Sequence, residues 1–253
     1  MATDRRVVSI TPFWKETHIL ELRLGILEDV VDHFYTIEAD KTFQGNPKPM
    51  SAHTIEHPKH TVVVLEFPDG MTDWGRENLQ RDIILDLSEY DDDDIVLIND
   101  LDEIPSPESI ELLKEVFDPQ FSYSFEMMMH YWYLNNQNPE LGPWYKAKAC
   151  SVGRYRTPGF NATNMRLYEN SIVIPRSGWH WTYIGDTELI TEKHKAFAHA
   201  EANYPENLAR IPLVWEKNTD MDNHKLVTVP IDTPFYPKYL RDNQEKYRAY
   251  IKE

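Results

Sequence analysis

The chain has 253 residues, of which 41% are hydrophobic and 27% are charged, and its formal net charge is −16. This length allows one large α/β domain with a buried core, and the acidic balance argues against nucleic acid and anionic membranes as partners. The single cysteine, Cys150, excludes an intrachain disulfide, and no run approaches the roughly eighteen apolar residues of a membrane span. The sequence therefore predicts a soluble, cytoplasmic protein without membrane insertion.

The first part of the chain predicts a βαβ unit and a third strand. Residues 7–10 and 34–38 have the composition of short strands, and residues 16–31 between them carry apolar side chains at nearly helical spacing. Strand, helix and strand within about thirty residues indicate two parallel strands with a right-handed crossover. After a loop rich in lysine, glycine and proline, residues 61–67 form the third strand.

A helix is predicted from Asp73 to about residue 90, with Asp73 at its N-terminus. Arg76 and Arg81 on this helix allow two interpretations. Arg81 can form an ordinary surface pair with Glu77, one turn earlier. Alternatively, one or both arginines reach the phosphate or base of a nucleotide, because a planar guanidinium suits an oxyanion.

An apolar run at residues 95–98 is typical of a strand buried on both faces. Asp100 and Asp102 come directly after this run, where open α/β sheets bind ligands. Alternate residues of an extended segment share a face, so both carboxylates can point at one Mg²⁺ or Mn²⁺ while Leu101 turns into the core. The alternative is that the same aspartates only form a turn or cap a helix.

The remaining segments complete an α/β prediction. Residues 121–134 form a strand rich in aromatic residues and methionine, and 177–185 form a strand with a tight turn. The expected fold is a mostly parallel central sheet flanked by helices, in one domain over residues 1–203. Residues 204–253 are expected to be a proline-rich segment with a helix from about 239 to 251, packed on the same domain.

Several motifs stand in collinear order over roughly residues 7–205. They are Thr11-Pro12-Phe13, Ile37-Glu38-Ala39-Asp40-Lys41-Thr42-Phe43-Gln44-Gly45, Trp74-Gly75-Arg76-Glu77 with Gln80-Arg81, Asp100-Leu101-Asp102-Glu103-Ile104-Pro105, Gly178-Trp179-His180-Trp181 and Glu192-Lys193-His194-Lys195. Together these motifs resemble glycosyltransferase family 17. The family includes the enzyme that adds the bisecting β-1,4 N-acetylglucosamine to N-glycans. The resemblance implies a GT-A fold, a nucleotide-sugar donor, a divalent metal on the diphosphate, and inversion at the anomeric carbon.

The nucleotide-sugar donor, with UDP favoured, is assigned to motif residues at strand ends and on the helix that begins at Asp73. They are Thr11, Pro12, Phe13, Glu38, Asp40, Lys41, Trp74, Arg76, Arg81, Asp100 and Leu101. Glu38 or Asp40 can accept from a base N–H or a ribose hydroxyl, and Lys41 can meet phosphate. Plain turn chemistry is the alternative for this loop.

The predicted cofactor is Mn²⁺ or Mg²⁺. Its expected ligands are Asp100, Asp102 and, by match to the family pattern, one of His180 and His199. His180 is preferred. It lies on the predicted strand 177–185, with Trp179 and Trp181 on the opposite face. The alternative for either histidine is an ordinary hydrogen-bonding role.

Inverting transfer requires a general base near the acceptor hydroxyl, most economically an aspartate or glutamate. The candidates are Glu188, Asp186, Glu103 and Glu201. Glu188, in the turn after the tryptophan motif, is the first choice, whereas the position of Asp186 is commonly glycine in the family. A solvated loop carboxylate is the alternative interpretation of Glu188.

The predicted function is a metal-dependent inverting glycosyltransferase that moves a sugar from a nucleotide-sugar donor to a hydroxyl of a glycan or glycoconjugate. The favoured sugar is N-acetylglucosamine, with UDP-N-acetylglucosamine as its donor. A metal-dependent phosphohydrolase would use the same carboxylates, but no second cluster of His and Asp is expected from the sequence. A non-catalytic carbohydrate-binding module is the third reading, suggested by the Trp and Tyr content. Without the membrane anchor of Golgi-resident relatives, the chain is expected to serve bacterial or viral glycan synthesis.

Overall fold

The structure is a computed structural model that describes residues 5–253, apart from the side chain of Tyr168. Its strands are β1 Val7–Phe13, β2 His33–Ala39, β3 His60–Leu65, β4 Ile95–Ile98, β5 Glu103–Pro105, β6 Tyr123–Tyr131, β7 Asn136–Gln137, β8 Lys148–Ser151, β9 Ile172–Thr182 and β10 Val227–Thr228. Its helices are α1 Thr17–Leu27, α2 Asp73–Asp82, α3 Pro107–Val116, α4 Val152–Tyr155, α5 Ala162–Tyr168, α6 Thr187–Ala196, α7 Pro205–Glu216 and α8 Lys238–Asp242. Short 3₁₀ turns lie at Ala52–Thr54, Ala200–Ala202 and Arg248–Tyr250. Among the described residues, none of the helices has the length and apolar character that a membrane crossing requires.

The strands form one mixed sheet. Its first half is parallel, in the order β4-β1-β2-β3, and α1 makes the crossover from β1 to β2. Beyond β4 the sheet continues through antiparallel β8 to β6, β7 and β10. β9 runs parallel to β6 and antiparallel to β5. The α/β prediction of a central sheet flanked by helices is confirmed, and the second half of the sheet adds antiparallel strands to it.

β4 is buried on both faces, as its uninterrupted apolar sequence predicts. Ile95 and Leu97 belong to the core cluster that includes the apolar side of α1. Val96 and Ile98 belong to a second cluster, which includes Tyr155. Packing on both sides fixes the strand, so the residues that follow it start from a rigid position.

The C-terminal segment packs on α1. Tyr236 and Tyr247 are buried in the same core cluster as the apolar residues of that helix. Gly25 of α1 permits the contact, because a Cβ at this position would lie 2.2 Å from the ring of Tyr239. Any larger residue at position 25 would push the C-terminal segment away from the helix.

The predicted helix from Asp73 to residue 90 is wrong beyond Asp82, where α2 ends. The hydroxyl of Tyr155 replaces the missing helical hydrogen bonds. It donates to the carbonyl of Ile83 and accepts from the N–H of Leu85, both at 2.9 Å. A side chain from a distant part of the chain therefore overrides the helical periodicity of this stretch.

Two other predicted boundaries also differ. The helix expected at 239–251 is α8, which ends at Asp242, followed by a turn and the 3₁₀ segment Arg248–Tyr250. The break after α8 allows the ring of Tyr247 to be buried in the core. The strand expected at 121–134 is shorter, because β6 is confined to the stretch that pairs with β8 and β9.

Candidate active site

The acidic loop, residues 99–103, connects β4 to β5 at the carboxyl end of the parallel strands. Two hydrogen bonds close it: the N–H of Asp100 donates to the Glu103 carboxylate at 2.8 Å, and the N–H of Glu103 donates to the Asp100 carbonyl at 3.0 Å. Leu101 is buried in the core between the two aspartates. The side chain of Asp100 is 29% exposed and that of Asp102 is 11% exposed, so Asp100 is the more accessible carboxylate.

Strand pairing brings His180 to this loop. β5 and β9 are antiparallel with Glu103 opposite His180, and the N–H of Trp181 donates to the Asp102 carbonyl at 2.8 Å. This register places His180 Nε2 3.4 Å from Asp102 Oδ1. Trp179 and Trp181 stack on each other in the core, with ring centroids 5.2 Å apart. The alternation of side chains along β9 therefore separates the imidazole from the two indoles.

Two neighbours hold the His180 ring in this orientation. Trp144 packs against it with ring centroids 4.6 Å apart, and Met129 Sδ lies 3.0 Å from His180 Nδ1. The indole N–H of Trp144 donates to Glu103 at 2.5 Å, which fixes the indole in turn. Nδ1 is thus occupied, and Nε2 faces Asp102.

Asp102 and His180 form the part of the site that fits a divalent cation. A six-coordinate Mg²⁺ or Mn²⁺ holds its ligands at about 2.1 Å, so neighbouring ligands lie about 3 Å apart. The distance of 3.4 Å between Asp102 Oδ1 and His180 Nε2 is close to this spacing. Asp100 is held apart, since Asp100, Asp102 and His180 do not bring three ligand atoms within 4.8 Å of one another. The other positions are of the kind that substrate phosphates and water fill.

Two arginines hold Asp100. Arg81 Nε and Nη2 each lie 3.2 Å from its carboxylate, and Arg166 Nη2 lies 2.8 Å from it. Arg81 also donates to Glu77 at 3.1 Å. The predicted pair with Glu77 is therefore present, and the same guanidinium reaches the acidic loop.

Glu103 is fully buried and accepts hydrogen bonds at both carboxylate oxygens. Arg166 donates to them at 2.6 Å and 2.9 Å, in addition to the bond from Trp144. Burial alone would raise the pKa of this carboxyl, but the Arg166 charge outweighs burial and lowers the pKa to about 2. Arg23, also buried, donates to the Glu103 carbonyl at 2.7 Å. Glu103 is thus an anion built into the framework of the loop.

Lys193 of α6 is buried between two carboxylates. Its Nζ lies 3.1 Å from Asp102 Oδ2 and 2.8 Å from Glu16 Oε1. Burial would raise the pKa of the Asp102 carboxyl, but the charge of Lys193 more than offsets it and holds that pKa well below its usual range. Asp102 is therefore ionised at neutral pH, as a metal ligand must be.

His199 lies elsewhere. It is exposed, bonds Glu201 at 2.5 Å and meets the ring of Trp74 edge-on, with ring centroids 4.6 Å apart. Trp74 is 45% exposed at the start of α2. Of the two histidines considered from the sequence, the structure brings His180 to Asp102 and places His199 against Trp74.

The loop after β2 is held together by Glu38. Its fully buried carboxylate accepts from Lys48 Nζ at 2.7 Å and from the N–H groups of Ser51 and Ala52 at 2.9 Å. Asp40 accepts from a backbone N–H of the segment after β3, at 3.1 Å. Both carboxylates thus shape the loop in which the sequence analysis placed them.

Lys41 and Arg76, two cationic residues predicted to bind the nucleotide-sugar donor, also make contacts around the loop after β2. Lys41 pairs with Asp69 at 3.3 Å. Arg76 donates to the Phe43 carbonyl at 2.7 Å. Gly45 has a φ of +85° and lets the chain pass close to this guanidinium, since a Cβ there would lie 3.0 Å from Arg76 Nη2. Arg76 therefore braces the turn that follows β2.

At the end of β1, Thr11 and Phe13 are buried and Pro12 is half-buried. The side chain of Gln80 donates to the Phe13 carbonyl at 3.1 Å and to the Ile37 carbonyl at 2.6 Å. Gln80 therefore ties α2 to the ends of β1 and β2. Three of the predicted donor segments meet at one edge of the sheet for this reason.

The remaining candidates for the general base lie around α6 and in the loop after it. Asp186 is the N-cap of α6, and its carboxylate accepts from the N–H of Leu189 at 2.8 Å. Glu188 is exposed in the first turn of the helix. Glu201 is exposed and engaged with His199.

A second acidic cluster lies in the turn formed by residues 218–226. Asp220, Asp222 and His224 each bring one ligand atom within 4.8 Å of the others. The buried carboxylate of Asp220 accepts from the N–H groups of Asp222 and His224 at 2.9 Å, and from the Asn138 side chain at 2.7 Å. The expectation that the chain has no second His and Asp cluster is therefore wrong. The alternate spacing Asp-x-Asp-x-His was the signal in the sequence.

Three residues of the site were missed from the sequence, and Lys193 was given no role. Arg23 left a signal, because it stands between Leu22 and Leu24 on the buried part of α1. Arg166 left none, because it lies 66 residues from Asp100 in a short helix with no motif. Trp144 lies outside every matched motif.

Comparison with known proteins identifies the family. A sequence profile described as Glycosyltransferase family 17 matches residues 1–212. Relatives named beta-1,4-mannosyl-glycoprotein 4-beta-N-acetylglucosaminyltransferase are 31% identical in Homo sapiens and 24% in Rattus norvegicus and Mus musculus, over 96% of this chain and 54% of theirs. The chain thus spans about half the length of these curated relatives.

One solved structure, of 4-diphosphocytidyl-2C-methyl-D-erythritol synthase, is 13% identical and covers 68% of this chain and 89% of that chain. The TM-score between the two structures is 0.41. The family profile covers most of the chain and includes the motif residues from Thr11 to Lys195. The resemblance drawn from the motifs is confirmed, and the chain belongs to glycosyltransferase family 17.

Proposed function

We propose that this protein is a metal-dependent inverting glycosyltransferase that transfers N-acetylglucosamine from UDP-N-acetylglucosamine to a mannose hydroxyl of a glycan. The observation that supports this most is the pairing of Asp102 Oδ1 with His180 Nε2 at 3.4 Å, at the carboxyl end of the parallel strands. The names of the curated relatives support the choice of sugar and acceptor.

When bound by Asp102 and His180, Mn²⁺ or Mg²⁺ would act as a Lewis acid on the departing diphosphate. Arg81 and Asp100 are partly exposed beside this position. We assign Arg81 to the diphosphate and Asp100 to a ribose hydroxyl. When the donor binds, each of the two side chains would give up part of its contact with the other. Arg166 is buried and continues to hold Asp100 and Glu103 in place.

The base and ribose of the donor are assigned to three segments at one edge of the sheet. Residues 11–13 end β1, Asp40 and Lys41 follow β2, and Gln80 binds a carbonyl of each strand. Glu38 is fully buried and holds the loop that carries Asp40 and Lys41. Trp74, at the start of α2, is 45% exposed, and its indole suits stacking against a planar base.

We assign the general base to Glu188. Its carboxylate is exposed on α6, the helix that places Lys193 beside Asp102, whereas the Glu103 carboxylate is enclosed by Arg166 and Trp144. Replacing a general base lowers kcat by about 10²–10⁴-fold. We expect this loss in Glu188→Gln with Mn²⁺ affinity unchanged, and near wild-type kcat in the control Glu201→Gln. The reverse pattern would transfer the role to Glu201.

The test is transfer from α-linked UDP-N-acetylglucosamine to a glycan with accessible mannose, followed by NMR of the product. A β-linked product, lost with EDTA and restored by Mn²⁺, is expected. An α-linked product would contradict inversion, and transfer in EDTA would contradict metal dependence. Phosphate release without transfer would indicate a phosphohydrolase, and glycan binding without nucleotide binding would indicate a carbohydrate-binding module.

A further inference from the structure

The two carboxylate oxygens of Asp102 have different partners. Oδ2 lies 3.1 Å from Lys193 Nζ, and Oδ1 lies 3.4 Å from His180 Nε2. Lys193 is anchored on its other side by Glu16, at 2.8 Å. If both oxygens bound one ion, Oδ2 would have to serve the ion and the Lys193 ammonium at once, which brings two cations together, or Asp102 would have to leave a buried ion pair, which is strongly unfavourable.

Lys193 is too enclosed to meet a substrate. Its side chain is 2% exposed, and the ring centroids of Tyr183 and Phe197 lie 5.2 Å and 5.0 Å from Nζ. Its charge can therefore act on the reaction only through the groups that it touches. Of these, Asp102 is the one that belongs to the metal site.

We propose that Lys193 is a positioning residue that restricts Asp102 to one metal-ligating oxygen, Oδ1, which it shares as a ligand pair with His180. This inference rests on the proposed function. The partners of a ligating carboxylate orient it and tune its affinity, and Lys193 does so from the side opposite the imidazole. Binding through one oxygen would leave room at the metal for the diphosphate of the donor.

The double variant E16Q/K193M tests the inference. It replaces the Glu16–Lys193 ion pair with neutral side chains of similar size, so that Glu16 is not left charged and unpaired, and it removes the Lys193 charge from Asp102, which keeps His180 as its neighbour. We expect the Kd for Mn²⁺, measured by electron paramagnetic resonance on the folded protein, to rise about 10- to 100-fold. Circular dichroism checks the fold.

A matched control is the ion pair formed by the sequence neighbours of Glu16 and Lys193. Lys15 and Glu192 form an ion pair at 2.5 Å that joins the same two parts of the chain, but both are 44% exposed. K15M/E192Q should bind Mn²⁺ with the wild-type Kd. A shared loss in both double variants would show that the effect comes from docking α6 and not from Lys193, and would overturn the inference.

The variant Asp102→Asn identifies the Mn²⁺-binding step that depends on the acidic loop. If wild type has no Mn²⁺ step that this variant removes, both the proposed metal site and the inference fail. If wild type has this Mn²⁺ step but the folded double variant E16Q/K193M keeps the wild-type Kd, the inference fails while the proposed metal site stands. A Mn²⁺-bound crystal of wild type decides the matter even if the double variant does not fold: a bidentate Asp102, or one detached from Lys193, overturns the inference.

Discussion

The acidic loop and the 218–226 turn both place an Asp-x-Asp sequence beside a histidine, but they are built differently. In the turn, Asp220 is bonded by the N–H groups of Asp222 and His224 and by the His224 ring. In the acidic loop, the partners of Asp100 and Asp102 are cationic side chains 19, 66 and 91 residues away in the sequence.

The difference shows what each region requires. Asp220 is satisfied largely within the turn, because local N–H groups bond an aspartate in this way in many turns, and the Asn138 side chain, 82 residues away in the sequence, adds one further bond. The acidic loop needs the whole fold, since α2, α5, α6 and β9 each supply one partner. Buried charges are costly unless compensated, and dense networks of this kind are typical of functional sites. For this reason we propose the acidic loop as the functional site, although it is the turn that brings three ligand atoms within 4.8 Å of one another.

Removing Arg166 is expected to have the largest effect. Arg166 is buried and neutralises both Glu103 and Asp100, so Arg166→Met leaves a buried carboxylate without its partner. Loss of one member of a buried pair costs about 3–5 kcal/mol. The free energy of unfolding, measured with urea, should fall by this amount.

The control is Arg154→Met. Arg154 pairs with Glu169 in a partly exposed position, where a salt bridge is worth about 1 kcal/mol or less. Equal losses in Arg166→Met and Arg154→Met would contradict the claim that the acidic loop is held by buried charge.

Alanine substitutions of His180 and His224 test whether the acidic loop or the 218–226 turn binds the metal. His180→Ala removes a ligand, and even groups that only support a ligand change metal affinity about 10- to 100-fold. The Kd for Mn²⁺ in the presence of UDP should therefore rise at least about tenfold. His224→Ala should leave it unchanged, because that ring serves the turn. An effect confined to His224→Ala would move the metal site to the 218–226 turn.

The smallest effect concerns the pH dependence of stability. The hydrogen bond to Asp220 raises the pKa of His224. A pKa raised by folding gives stability that is complete below the unfolded value of about 6.5 and is lost as the pH rises through the folded value. Wild type should therefore exceed His224→Gln in Tm at about pH 5.5, with a smaller gap at about pH 8.5. A gap that widens with pH would contradict the account.

Local patterns predicted the framework of the fold and the position of the acidic loop. The apolar run at residues 95–98 forms β4 with the predicted bounds, and alternation along β9 places His180 opposite its tryptophans. These features depend on neighbours in the sequence. The end of α2 was not predictable in this way, because it depends on the hydroxyl of Tyr155.

The buried cations of the site were the least predictable part. Arg166 and Lys193 lie on helices whose sequences give no reason to prefer a buried charge over a surface one. Their partners became apparent only when β4, β5 and the helices were assembled. Glu38 shows the same limit, since its position suggested a nucleotide contact whereas its carboxylate is occupied by Lys48 and two backbone N–H groups.

The most direct test of the account is UDP binding by isothermal titration calorimetry, with and without Mn²⁺, in wild type, Asp102→Asn and Asp222→Asn. Mn²⁺-dependent binding should be present in wild type and in Asp222→Asn and absent in Asp102→Asn. Binding that survives in Asp102→Asn and disappears in Asp222→Asn would contradict the assignment of the metal to the acidic loop.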